Sequence, residues 1–240
     1  MHKKKINYPT PMLLDCFRLT ATTEVETEKN TIEYLKQKKG GFNYNRAAKG
    51  TRMAYDGYEL EPLYRQFSLG NASVAKTHNL KVLKITAPLA TGRKIQTFDI
   101  KKRKFIITPT IQANLGPQFF FVENDVVKLA YIHARNNHRA SLVHLAGLAW
   151  GMKTEILDDD FYDQPSDVEF LDVDKRDDQS IVKSYTLSEL ETYLHEDPME
   201  TLSRFARVFT KIRNNGLAGE IIKPHRRPRE DKSPNHELFD

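Results

Sequence analysis

The sequence predicts an α+β fold: a basic helical region at the N-terminus, then a mixed, mostly antiparallel sheet with a buried helix, then C-terminal helices. Three observations predict it. Helix signals crowd residues 21–90, and strand-like runs begin only after Pro88 and Gly92. Beyond them the apolar runs are short, except residues 141–152, which are apolar nearly all round and long enough for a buried helix.

The elements follow in order. Residues 1–20 open with Met1-His2-Lys3-Lys4-Lys5 and carry Pro9 and Pro11, and are expected to be a basic arm. Met12-Leu13-Leu14 is cut off by Asp15, so the h-region of a secretory signal is missing. Thr23-Glu24-Val25-Glu26 is a capping box, and the helix it opens runs to Gly40-Gly41. Tyr44, Ala47, Ala48, Thr51 and Tyr55 share one face of a second helix, from about 43 to 55, with Arg46, Lys49 and Arg52 on the other side. Two short helices follow near 61–68 and 72–85, separated by Leu69-Gly70-Asn71.

Strands are expected at 95–100 and 105–108. Phe119-Phe120-Phe121-Val122, the turn Glu123-Asn124-Asp125 and Val126–His133 then read as a hairpin, apolar on both faces and therefore central in the sheet. After the buried helix come strands at 168–173 and 181–185. Thr186-Leu187-Ser188-Glu189 is a second capping box, and Asp197-Pro198-Met199-Glu200 opens a last amphipathic helix ending at Asn215-Gly216. The division expected is an arm (1–20), a basic helical region (21–90), an α+β region (93–216) and a disordered charged tail (217–240).

The 240-residue chain is long enough to bury a core, and its 13 Phe and 10 Tyr set it apart from disordered chains, which are poor in aromatics. No run approaches the roughly 20 apolar residues a membrane-crossing helix needs. The lone Cys16 cannot form an internal disulfide, which fits a reducing, cytoplasmic setting. Charge is split along the length: residues 1–110 carry a net +12 and residues 111–222 a net −8, for +5 overall. A basic half joined to an acidic half points to contact with a polyanion, or to partial self-masking.

The candidate phosphate contacts are Arg46, Lys49, Arg52, Lys81, Lys84 and the run Lys101-Lys102-Arg103-Lys104, with Arg93 and Lys94 between them. Tyr44, Tyr55, Tyr58 and Tyr64 are interleaved as stacking platforms. The competing reading is a solvated basic face over core tyrosines. Residues 61–85 have a helix–turn–helix outline, with donors at Asn71, Ser73, Lys76, Thr77, His78 and Asn79. The register is poor, because Gln66 stands where a small residue should pack and Lys76 and Asn79 where apolar ones should.

Chemistry has weaker signals. Asp172-Val173-Asp174 ends an apolar strand and puts two carboxylates on one side, as a Mg²⁺ site for phosphoryl or nucleotidyl transfer requires, yet Lys175-Arg176 follows where companion motifs should stand. A restriction-type nuclease core needs an Asp on one strand and Glu/Asp-x-Lys on its neighbour. Asp99-Ile100-Lys101 matches the second half alone, and Asp125 and Lys128 have the wrong spacing. His133, His138 and His144 fall on a strand, a loop and a helix, without metal-ligand spacing. Arg139 and the amides opening the buried helix are a further phosphate candidate. The leading expectation is a soluble, intracellular nucleic-acid-binding or regulatory protein that contacts phosphates through residues 44–104. Its acidic half would dock a second protein or fold back. It needs no cofactor and no membrane. The alternatives are a metal-dependent nuclease or nucleotidyl enzyme using Asp172 and Asp174, with Mg²⁺, and a non-enzymatic protein–protein module pairing through the 119–122 hairpin.

Overall fold

A computed structural model describes residues 8–37, 43–71, 73–134, 140–176 and 179–219. The architecture is α+β, as the sequence predicts. Helices α1 (Leu13–Leu19), α2 (Glu24–Lys36), α3 (Asn45–Tyr55), α4 (Leu60–Ser68) and α5 (Val74–Thr86) precede the sheet, and a 3₁₀ turn, Ala87–Ala90, leads into it. Strands β1 (Gln96–Phe98), β2 (Lys104–Thr108), β3 (Ile111–Asn114), β4 (Phe119–Glu123) and β5 (Val126–His133) follow. Helix α6 (Leu142–Met152) runs through a π-turn into the single turn α7 (Asp158–Asp160). Strands β6 (Ser166–Arg176) and β7 (Gln179–Tyr185) and helices α8 (Leu187–Glu191) and α9 (Pro198–Asn215) complete the chain.

Five strands form one sheet in the order β1-β4-β5-β6-β7, and β2 and β3 form a separate ribbon. All neighbours are antiparallel except β5 and β6, which run parallel because α6 carries the chain back across the sheet. The predicted hairpin is the centre of the sheet. Its two-residue turn puts Asn124 and Asp125 at φ of 52° and 62°, the paired left-handed conformation whose twist suits a tight hairpin. The ribbon strand β3 escapes the sequence reading.

Alternation along β5 and β6 sends side chains to two covered faces. Leu129, Tyr131, Val168 and Phe170 pack with α1, α6 and α9, whereas Ile132 and Leu171 pack with Ala47, Leu63 and Leu83 of the N-terminal helices. The C-terminal helices do lie on one side, as expected; of the basic helical region α3, α4 and α5 cover the other, whereas α2 packs with α1 and α9 on the first. Helix α6 is buried as predicted, and it approaches α1 so closely that a Cβ on Gly147 would stand 2.8 Å from the Phe17 ring. Gly216, at φ 61°, ends α9 where the sequence places its stop.

The N-terminal arm needs correction. Residues 8–19, assigned to it from their prolines and lysine-rich start, hold Tyr8, Leu13, Leu14, Cys16 and Phe17 in the main core. Asp15, which interrupts the apolar run, is buried but paired with Arg18 and accepts a hydrogen bond from the Tyr34 hydroxyl, each at 3.1 Å. Tyr8 donates its hydroxyl hydrogen to the Gly219 carbonyl, and Arg213 donates to the Tyr8 carbonyl, so the two ends of the described chain are bonded together. Residues 1–7 and 220–240, which hold the arm's lysines and nearly all of the expected tail, lie outside the described residues.

Candidate nucleic-acid interface

A cleft with a volume of about 680 Å³ opens where β4 begins and β5 ends, between α3 and the connector from β1 to β2. Its size is that of a ligand site. Helix α3 contributes Lys49 and Arg52, one helical turn apart, because the buried face through Ala47, Ala48 and Thr51 turns them outward. The connector contributes Lys101, Lys102 and Arg103. Tyr44, Phe119 and Tyr131 supply aromatic wall, and Asn114 and Gln118 supply amides. No Asp or Glu lines the cleft among the described residues.

Of the eleven cations named from the sequence, these five converge; Arg93 is spent on two carboxylates of the sheet, Lys94 is exposed outside the cleft lining, and the other four also stand elsewhere. Arg46 lies over the Phe67 ring, Lys84 over the Tyr64 ring, Lys81 is exposed on α5, and Lys104 starts β2. Within the cleft the charges are unequal. Arg52 is paired with Asp99 and donates to Thr97, and Arg103 is paired with Asp159 and Asp160 from the acidic half. Lys49, Lys101 and Lys102 form no ion pair among the described residues.

The helix–turn–helix donors are largely spent. Asn79 is buried, accepting from the Ala47 amide and donating to the carbonyls of Asn43 and Ala75. Ser73 caps α5, Lys76 reaches back to the Gly70 carbonyl, and Thr77 bonds the Ser73 carbonyl. Of these polar residues Asn79 alone ties α5 to the start of α3, which explains a buried polar side chain at a position the motif reserves for an apolar one; Ser73, Lys76 and Thr77 bond locally in the turn before α5 and in its first turn.

His133 closes the inner end of the cleft. The register of β5 on β6 sets it directly opposite Asp172, and its Nδ1 lies 2.9 Å from the Asp172 carboxylate. The ring is 4% exposed, and Nε2 finds no hydrogen-bond partner among the described residues. Asp172 therefore meets an imidazole on the face where the sequence reading set a pair of carboxylates for Mg²⁺. Among the described residues no three His, Cys, Asp or Glu side chains converge on a possible metal position. Asp99, the strand-end half match to a nuclease core, is exposed and held by Arg52. His144 caps α6 by accepting from the Ser141 amide, and burial with the nearby Arg18 charge holds its pKa below the usual histidine value. His138 and Arg139 lie outside the described residues.

No protein-family model and no curated protein matches this chain. No helix among the described residues is long and apolar enough to cross a membrane.

Sequence reasoning also misassigns Arg93, grouped there with the free cations. Its guanidinium donates to both oxygens of Glu123 (2.7 and 2.8 Å) and both of Glu169 (2.7 and 3.1 Å), and lies over the Tyr55 and Phe121 rings. Lys128 adds a second cation to Glu123, and the Tyr55 hydroxyl donates to Glu169. The hydrogen bonds from Arg93 hold the Glu123 carboxyl down at about 2, while burial first and then Glu169 push the Tyr55 phenol well up. This network is saturated and joins α3 to three strands. It fastens the helical region to the sheet rather than offering a site.

Proposed function

We propose that the protein binds nucleic acid in the cleft between α3 and the β1–β2 connector, with Lys49, Lys101 and Lys102 taking phosphates. The observation that carries this reading is that, among the described residues, five cations converge around a concavity lined by no carboxylate and three of them form no ion pair. Ammonium groups free of carboxylates release counterions when they meet phosphates, which drives binding that weakens with salt. Tyr44 adds ring surface on which an unpaired base stacks. Arg103, held by Asp159 and Asp160, is the point at which the acidic half tempers the basic one. The single buried Cys16 suits a reducing, cytoplasmic location.

Fluorescence anisotropy with labelled duplex DNA, single-stranded DNA and RNA across a salt series tests the reading. The Lys49→Glu/Lys101→Glu/Lys102→Glu variant is expected to bind far more weakly and to lose about 2–3 from the slope of log affinity against log salt. A Lys81→Glu/Lys84→Glu variant, altered outside the cleft, is expected to keep its affinity within a few fold. Undiminished binding by the cleft variant, or no binding by the wild type to any of the three ligands, overturns it.

A further inference from the structure

The ribbon of β2 and β3 carries the chemistry of the cleft onto an open surface. Along β2 the side chains alternate, with Phe105 and Ile107 buried and Lys104 and Ile106 exposed; along β3 Ile111 and Ala113 are buried and Gln112 and Asn114 exposed. The antiparallel register sets Lys104 opposite Asn114 and Ile106 opposite Gln112, so the four exposed side chains share one face. The other face belongs to the main core, where Phe105 meets the Trp150 ring. At the ribbon's turn Arg213 of α9 donates to the Thr110 carbonyl. The ribbon is therefore held flat, with a single face to offer.

That face is continuous with the cleft. Asn114 lines the cleft, and Lys101, Lys102 and Arg103 run directly into Lys104. From Lys101 to Asn114 the chain holds four cations and no Asp or Glu. The Gln118 amide, inside the cleft, is spent on the Gly116 carbonyl and the Ile132 amide. The side chains of Lys104, Gln112 and Asn114 form no hydrogen bond or ion pair among the described residues, and Ile106 is 57% exposed. A lysine ammonium takes a phosphate, an amide offers a donor and an acceptor to a base edge, and an aliphatic side chain covers a base face. Only unpaired bases lay their faces on a flat surface, whereas a ribbon that reads a duplex has to enter its major groove, and this one is held against the core.

We infer that this face extends the cleft into a track for single-stranded nucleic acid, with Lys104 taking a phosphate and Ile106, Gln112 and Asn114 receiving unpaired bases. The inference rests on the cleft being the nucleic-acid site and adds the form of its ligand. From Asn114 to Gln112 the track runs about 7 Å past the cleft, at about 3.4 Å per residue. That is room for about two more nucleotides at their stacked spacing of about 3.4 Å.

Anisotropy titrations with a short single strand of about three nucleotides, a longer one of about twelve and the duplex of the longer one test this. Wild type is expected to bind the longer strand tightest and its duplex more weakly. Ile106→Ser/Gln112→Ala keeps every charge. It is expected to lose about tenfold in affinity for the longer strand, to keep its salt slope, and to bind the short strand as wild type does. Lys104→Gln is expected to lower the slope of log affinity against log salt by about 0.7, the share of one phosphate contact on a single strand. In parallel, the side-chain amide resonances of Gln112 and Asn114 in the wild type are expected to shift on titration with the longer strand, a readout that needs no variant. Undiminished binding of the longer strand by Ile106→Ser/Gln112→Ala, equal losses for both lengths, amide resonances that stay in place, or a duplex bound as tightly as the single strand overturns the track. If binding still depends on the cleft lysines, only the track fails. If the Lys49→Glu/Lys101→Glu/Lys102→Glu variant binds the longer strand as wild type does, or nothing binds, the cleft reading fails with it.

Discussion

Replacing Arg93 with Met tests whether the network beneath α3 holds the helical region on the sheet. Arg93 is 20% exposed, and Glu123 and Glu169 are 14% and 11% exposed. Methionine keeps most of the contact with the Tyr55 and Phe121 rings but leaves two carboxylates with one cation, Lys128, between them. Removing one partner of a buried pair typically destabilises by about 3–5 kcal/mol, and the residual exposure here favours the lower end, about 3. Part of that is visible in the pH dependence. A carboxyl lowered from 4.5 to about 2 contributes about 3 kcal/mol, or about 2 once solvent screening is allowed for. Because the folded-state value is depressed, this stability is present above about pH 4.5 and is lost as pH falls toward 2. Urea unfolding should therefore show Arg93→Met less stable by about 3 kcal/mol at pH 7, with the gap narrowing by up to about 2 on acidification. A loss below about 1 kcal/mol at pH 7, or a gap that ignores pH, would refute the reasoning.

Two further outcomes follow from the packing. Gly147→Ala drives a methyl group into the Phe17 ring face where α1 crosses α6, and is expected to destabilise by about 1–3 kcal/mol in thermal unfolding; an unchanged midpoint would mean the two helices can separate freely. Cys16 is fully buried and its thiol is pushed well above the usual value, first by desolvation and then by Asp15. It should react with a thiol reagent at pH 8 only at the rate of unfolding, and rapid labelling of the native protein would show that α1 leaves the core.

Much of the fold was legible because its signals are local. Thr23 and Thr186 accept from the amides three residues on, Asp197 caps the helix that Pro198 begins, and the β4–β5 hairpin needs two apolar runs and a two-residue turn. What was hidden depends on partners distant in sequence. Helix α1 was unreadable because Asp15 looks like an interruption until Tyr34, on α2, is seen to satisfy it. The cleft was half visible: Lys49 and Arg52 share a helix face, and Lys101 to Arg103 form an obvious run. Their convergence depends on how α3 lies on the sheet. His133 and Asp172 are 39 residues apart and meet only through the register of a parallel pair that a crossover helix sets, which no spacing rule encodes. Arg93 reads as free in the sequence because both its carboxylates, Glu123 and Glu169, arrive from strands distant in sequence.

The bond between Tyr8 and Gly219 also sets an order of events during synthesis. The main core takes residues from Tyr8 through Ala218, so the apolar side of α1 leaves the ribosome long before α9 exists to cover it. The bonded pair is separated by 211 positions, roughly 10–40 s of elongation at 5–20 residues per second. Throughout that interval Leu13, Leu14 and Phe17 belong to a nascent chain that cannot yet bury them fully, so the apolar side of α1 stays open to non-native contacts until the last helix docks.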